Sequence, residues 1–318
     1  MDNLTHGLVG AVIGQTGLKR KTGLGMPALV IGANLPDVDA ACFFWLEGTE
    51  HLGFRRGITH GPPAMVLLPL ILAGLLWGFD RWQARRGKRP ETRAPVRFGW
   101  LYALAFVGCL SHPALDWLNV YGIRLLEPFS SRWFYGDTLF IIDVWLWALL
   151  IVSVLSASRR EKAGGDQRGI ARAALAIMLA YIGVNGAQTA SHYAHRGDHW
   201  HPQAVSFIAS PAPIRSWERE RIAQLEDGRW VSDAWGGEAA GEGYRASEDV
   251  QCALPDLADE RQRSSQVEAF LSWSRAPFAT RAEDGSIVLR DARFYDPRAR
   301  GRFGVALRHV QCAELPSQ

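Results

Sequence analysis

The stretch Ser111-His112-Pro113-Ala114-Leu115-Asp116-Trp117-Leu118-Asn119 sets an imidazole and a carboxylate inside an otherwise apolar run. On a helix, His112 and Asp116 stand at i and i+4, so both side chains leave one face with their polar ends together, and Asn119 continues that face. A neutral imidazole nitrogen and a carboxylate oxygen are ligands that zinc and similar divalent ions accept, and a bound cation offsets the desolvation of the carboxylate. The same two residues also suit a His–Asp hydrogen bond that locks two helices together, so the pair alone leaves both readings open.

Other residues of the same chemistry are spread along the first half of the chain. His6 lies near the start, Asp37 and Asp39 sit in Asn34-Leu35-Pro36-Asp37-Val38-Asp39, and His60 follows Arg55-Arg56-Gly57-Ile58-Thr59. Asn34 and Asn119 suit hydrogen bonding that orients ligands. Arg56 suits a phosphate or carboxylate oxygen, or equally a lipid headgroup. A divalent ion with an open position makes a bound water nucleophilic near neutral pH and polarises the bond under attack, so hydrolysis is the natural reaction class. The four cysteines, Cys42, Cys109, Cys252 and Cys312, have no CxxC spacing, which leaves histidine and aspartate to carry any metal.

The elements that must position these groups are apolar. Over 318 residues the hydrophobic fraction of 48% and the charged fraction of 21% average two regimes, an apolar first part and a polar last part. The net charge of +3 gives no reason to expect nucleic acid. The N-terminus lacks the basic region and small-residue cleavage site of a secretory signal and is expected to stay attached. Asp2 or Asn3 can cap a first helix whose Gly7, Gly10, Ala11 and Gly14 permit close packing. A second apolar run, Leu24 to Leu46, should break or kink at Pro36. Runs at Ala64 to Phe79, Phe98 to Leu118, Leu139 to Ala157 and Ile170 to Ala190 each approach the ~20 residues that span a bilayer.

Basic residues fall on alternate connections: Lys19-Arg20-Lys21, the segment Arg81 to Arg97, and Arg159 to Arg168. These should share the cytoplasmic side of a bacterial-type inner membrane crossed several times, which puts the candidate ligands and everything after the last span on the other side. The expected organisation is therefore mainly α. A polytopic transmembrane helical domain over 1–190 carries the metal site, and a small α+β or mostly β soluble domain lies outside the cytoplasm over 202–318. Ser286 to Arg290 and Phe303 to Arg308 alternate like strands, and an oxidising compartment makes a Cys252–Cys312 disulfide reasonable, with Cys42 and Cys109 left as thiols. The histidine-rich stretch His192 to His201 opens the polar region, either as interfacial residues or as further ligands.

Thr5-His6-Gly7, Leu35-Pro36-Asp37-Val38-Asp39, Arg56-Gly57-Ile58-Thr59-His60-Gly61, Ser111-His112-Pro113-Ala114-Leu115-Asp116 and Gly136-Asp137-Thr138-Leu139-Phe140-Ile141-Ile142-Asp143 occur in that order. In this the chain resembles the YdjM-like membrane-bound metal-dependent hydrolases. The later pattern of Pro211-Ala212-Pro213 through Trp217, then Phe270 to Ser274 and on to Asp291, is similar to the C-terminal domain of longer members. The resemblance implies a distant relation to zinc-dependent phospholipase C and the zinc-dependent single-strand nucleases, helical enzymes that cleave phosphoesters with a cluster of zinc ions. Carried over motif by motif, Asp37 or Asp39, His60, His112 and Asp116 would be ligands, His6 would serve a neighbouring metal, and Asp143 or His192 would supply further ligands. One to three divalent ions, zinc by this resemblance, are implied.

Two functions from different classes follow. The first is an integral-membrane hydrolase acting on a phosphoester or other ester, a lipid among them, with membrane lipids as its surroundings. The second is a non-catalytic membrane protein whose polar cluster binds a structural metal or lines an ion path while the soluble domain binds a partner. Six or more ligands on one face exceed the four that close a structural zinc site. A transporter with its site at mid-bilayer would favour two related repeats, and the chain has none.

Overall fold

The computed structural model describes residues 1–195, 204–233, 245–246, 250–295, 303–308 and 310–315. The chain divides into two compact units, Met1–Asp39 with Arg56–Gly186, and Ala40–Arg55 with Ala187–Gln318. The short segment 40–55 thus groups with the C-terminal part although it is flanked by the helical one.

The first unit is helical. α1 (Asn3–Gln15) starts where Asp2 accepts from the Thr5 backbone N–H at 3.0 Å. Its 13 residues rise only about 20 Å, short of a bilayer's ~30 Å hydrocarbon core. α2 (Gly25–Asn34) runs into a 3-10 helix over Leu35–Phe44. Pro36 therefore changes the winding of this run rather than ending it. The tighter winding sends Asp37 and Asp39 to different partners. α3 (Glu50–Phe54) is short and belongs to the second unit. α4 (Pro62–Arg85) begins on two prolines, where a missing N–H costs nothing, and α5 (Phe98–Trp117) carries His112 and Asp116 near its end. α6 (Val144–Lys162) and α7 (Arg168–Ala194) follow.

Among the described residues, four helical stretches are long and apolar enough to cross a membrane: Gly25–Phe44, Pro62–Arg85, Phe98–Trp117 and Arg168–Ala194. The expected span at Leu139 to Ala157 is corrected. Residues 139–143 are not helical and Leu139 bridges Asn119, so the run starts later than expected: α6 begins at Val144 and leads from the ligand end to its charged last turn, where Glu161 pairs with Lys19 and Arg20. Large apolar side chains are exposed along α4 and α7, among them Leu67, Ile71, Leu75, Leu179 and Val184.

Two apolar clusters hold the unit. Val9 and Val12 of α1 meet Leu146 and Leu150 of α6 and Ala171, Ala174 and Met178 of α7. Ala28 and Leu29 of α2 meet Leu72 and Ala73 of α4 and Leu101, Leu104 and Ala105 of α5. The layers are joined through α2 by glycine. A Cβ on Gly10 of α1 would lie 2.7 Å from the Leu29 carbonyl oxygen, and one on Gly108 of α5 would lie 2.4 Å from the same atom. Only glycine permits that approach of backbones.

The basic connections meet at one end of this unit. Lys19 and Arg20 pair with Glu161, Gly23 N–H donates to Pro95 O at 3.1 Å, and Arg97 N–H donates to Thr22 Oγ1 at 2.8 Å. By helix direction the candidate ligands lie at the other end.

The second unit contains two small antiparallel sheets. β1 (Ala204–Pro211), β2 (Arg219–Leu225), β3 (Trp230–Ser232) and β4 (Arg245–Ala246) form the first, in that order. β5 (Val250–Ala253), β6 (Pro277–Arg281), β7 (Ile287–Asp291), β8 (Gly304–Leu307) and β9 (Ala313–Glu314) form the second, ordered β8-β7-β6-β5-β9. The alternation at Ser286 to Arg290 and Phe303 to Arg308 thus lies on β7 and β8. Between β5 and β6 come α8 (Ala258–Arg263) and α9 (Ser265–Trp273), and α9 packs Phe270 and Trp273 into the core. Cys252 on β5 is bonded to Cys312, while Cys42 and Cys109 are buried and take no part in it.

Candidate metal centre

Five elements of the helical unit deliver polar groups to one buried spot. α1 brings His6, the 3-10 segment brings Asp37 and Asp39, the turn before α4 brings Arg56 and His60, α5 brings His112 and Asp116, and the chain just beyond brings Asn119. All are at most 8% exposed, and His6, His112, Asp116 and Asn119 are wholly enclosed.

His112 is at the centre. Its Nδ1 lies 2.7 Å from the Ala33 carbonyl oxygen, which can only accept, so Nδ1 carries the proton and Nε2 the lone pair. Nε2 faces Asp116 Oδ2 at 3.5 Å and Asp37 Oδ1 at 3.8 Å. The His6 ring stacks on His112, with centroids 3.7 Å apart, and its Nε2 is 3.3 Å from Asp116 Oδ1. His60 is oriented through a relay. Thr59 Oγ1 donates its one proton to Asp39 Oδ2 at 3.2 Å and therefore accepts from His60 Nδ1 at 3.0 Å, which turns His60 Nε2 toward Asp116 Oδ2 at 3.7 Å. Two imidazoles thus hold their lone pairs inward, the arrangement second partners impose on metal-binding histidines.

Two groups place one ligand atom from each member within 4.8 Å of one another: His6, His112 and Asp116, and Asp37, His60 and His112. Both ring nitrogens of His6 and Nε2 of His112 are buried without a hydrogen-bond partner. Leaving such groups unmade costs about 1–3 kcal/mol each, which ligation of a cation relieves. Three carboxylates face the Arg56 guanidinium and the Met1 α-amino group, which meets Asp116 Oδ1, so the cluster keeps a net negative formal charge that favours a cation. The residues fit a divalent ion with nitrogen and oxygen ligands.

His112 belongs to both groups, so an ion held on its Nε2 would draw its remaining ligands from either set; Asp116 turns Oδ1 to His6 and Oδ2 to His60 and His112.

Arg56 is committed within the cluster. Its Nε is 3.1 Å from Asp116 Oδ2, one terminal nitrogen donates to Asn119 Oδ1 at 3.1 Å and Gly122 O at 3.2 Å, and the guanidinium lies over the Tyr121 ring. Its backbone N–H donates to Asp39 Oδ2 at 2.8 Å from a positive-φ conformation. The carboxylate oxygen it meets is that of Asp116, and through these contacts it fixes Asp116 and Asn119 within the cluster. Asn119 Oδ1 also accepts from Tyr121 and Gly122 N–H.

Other expected members lie elsewhere. Asp143 caps α6, accepting from the backbones of Trp145 and Leu146 at 3.0 Å and from Tyr181 OH at 2.8 Å, and is in neither ligand group. Asn34 donates to Val30 O of its own helix at 3.1 Å and orients no ligand by hydrogen bond. His192 lies on α7 in the other unit, His195 bonds back to Ser191 O, and His199 and His201 fall outside the described residues. Thr59, beside His60, and the Ala33 carbonyl were not anticipated. A hydroxyl next to a ligand histidine is a readable signal, whereas a backbone acceptor leaves none.

No curated protein and no solved structure matches the chain. The family model described as YdjM inner membrane protein matches residues 1–192. Because that match covers more than half of the 318 residues and takes in every side chain of the cluster, the chain belongs to the YdjM inner membrane protein family.

Proposed function

We propose that the protein is an integral-membrane hydrolase that uses a divalent metal, zinc by its histidine and aspartate donors, on a phosphoester or other ester, lipids included. The observation that carries this reading is His112, whose Nδ1 is held by a backbone carbonyl while Nε2 faces two carboxylates. A divalent ion bound there supplies a water of lowered pKa and polarises the bond under attack. Asp39, fixed by Arg56 N–H and Thr59, keeps His60 turned inward, and Arg56 holds Asp116 in one orientation. Enclosure of these groups excludes bulk water and strengthens their fields. The same enclosure favours a second reading, a closed structural metal site with no open ligand position. Metal analysis of the detergent-purified protein, followed by a screen of phosphomonoester, phosphodiester and phospholipid substrates, separates the two. Metal with turnover is expected, metal without turnover on any class supports the structural site, and absence of metal removes both.

The proposal includes a multi-pass topology with the basic end cytoplasmic and the C-terminal sheets outside. Reporter fusions near Lys88 and Asp284 are expected to score on opposite sides of the membrane. Equal signals would overturn this arrangement.

A further inference from the structure

At the end of the helical unit away from the histidines, the connection after α1 and the first turns of α7 flank an open hollow of about 580 Å³ lined in part by Thr16, Gly17, Arg20, Lys21, Arg168 and Arg172. Four lining side chains are cationic and none is acidic. The neighbouring carboxylates are engaged: Glu161 takes Lys19 and Arg20, and Asp166 accepts from Arg168 N–H at 3.1 Å and lies 3.5 Å from Arg168 Nε. Arg172 has neither an ion pair nor a hydrogen bond among the described residues. Lys21 is steadied over the Trp100 ring, 5.3 Å from its centroid. Gly17, at φ 113°, turns the chain beneath Arg168, whose side chain would lie 3.4 Å from a Cβ placed there.

Arg20 and Arg168 already meet carboxylates, whereas Lys21 and Arg172 meet none among the described residues, so the hollow keeps an excess of positive charge that an anion relieves. Guanidinium forks match phosphate oxygens in pairs. The surroundings choose the source of the phosphate: Trp100 is 37% exposed on α5 and Ile177 is 54% exposed one to two turns beyond Arg172 on α7, so the hollow borders exposed apolar surface. We infer that this hollow binds the phosphate headgroup of an anionic phospholipid. Basic hollows between membrane helices take such headgroups, each basic side chain contributing about fivefold in affinity.

The test is native mass spectrometry of the full-length protein in detergent, titrated with phosphatidylglycerol, phosphatidylcholine or inorganic phosphate. Phosphatidylglycerol is expected to bind in preference to phosphatidylcholine. Its binding should weaken roughly fivefold in Arg172→Gln and roughly 30-fold in the double variant Arg168→Gln/Arg172→Gln. Arg85→Gln/Arg86→Gln, on a different connection, should change it less than about twofold. Unchanged binding in the double variant, or an equal loss in the control, would overturn the site. Displacement of the lipid by equimolar inorganic phosphate would overturn the lipid assignment in favour of a free anion.

Discussion

Asp116→Asn is expected to strip the metal from the protein and to abolish hydrolysis, the largest functional effect of any single substitution in the chain. The change keeps the shape of the side chain and removes the charge that faces His6, His60, His112 and Arg56 at once. His112→Ala should match it, because it deletes the one ligand common to both metal groups. Asn119→Ala, which loosens Arg56 and the Tyr121–Gly122 backbone but removes no ligand, should cost on the order of 10–100-fold in metal affinity or turnover. Burying Arg56 without its carboxylate also destabilises the fold, by about 3–5 kcal/mol for a broken enclosed pair, so the measurement is metal stoichiometry per folded molecule. Asp284→Ala, on an exposed turn of the second sheet, serves as the control. Full occupancy in the first two variants would leave a bare His–Asp clasp as the explanation of the cluster.

Asp291→Ala should be the most destabilising change in the C-terminal unit. The carboxylate accepts from six donors: Ser274 Oγ, the N–H groups of Arg275, Ala276 and Arg293, and two guanidinium nitrogens of Arg293. Both members of the ion pair are wholly enclosed, and Arg293 stacks on Trp273. Removing one member strands the other, a loss of about 3–5 kcal/mol. Hydrogen exchange at β6 and β7 would report it as a drop in opening free energy, and a drop under about 1 kcal/mol would refute the assignment. Burial alone would push this carboxyl up, but the Arg293 charge and the hydrogen bonds outweigh it and hold the carboxyl below its usual range. A folded value below the unfolded one means that the stabilisation is present above about pH 4 and fades as pH falls through the folded value. The gap between wild type and variant should therefore narrow in acid.

Which residues form the cluster was legible because polarity in an apolar run is costly and has few explanations. His6, Asp37, Asp39, His60, His112 and Asp116 all stood out on that ground, and the structure brings all six together. Asp143 entered only through the family resemblance, and its carboxylate is taken by a helix start. The capping pattern, an aspartate directly before Val144, was readable, but an expected helix beginning at Leu139 concealed it. The residues that orient the ligands were harder to see. Ala33 acts through its carbonyl, which every residue possesses, and Arg56 is distinguished only by neighbours 60 and 63 positions away. The grouping of 40–55 with the C-terminal unit was hidden because Cys42-Phe43-Phe44-Trp45 has the composition of a membrane helix, and contact partners are not a property of composition.

Gly10 and Gly108 stand four residues from His6 and His112 respectively, and both lean on one carbonyl oxygen of α2. The spacing between the two rings is therefore set a full turn away, by residues with no side chain to offer an ion. Under the proposed metal reading, an absence of bulk would tune the fit to ionic radius. A methyl group at position 108 would keep every ligand residue and still push α5 away from α2, moving His112 relative to His6, so the choice among divalent cations would depend on the closeness of three backbones as well as on the chemistry of the ligands.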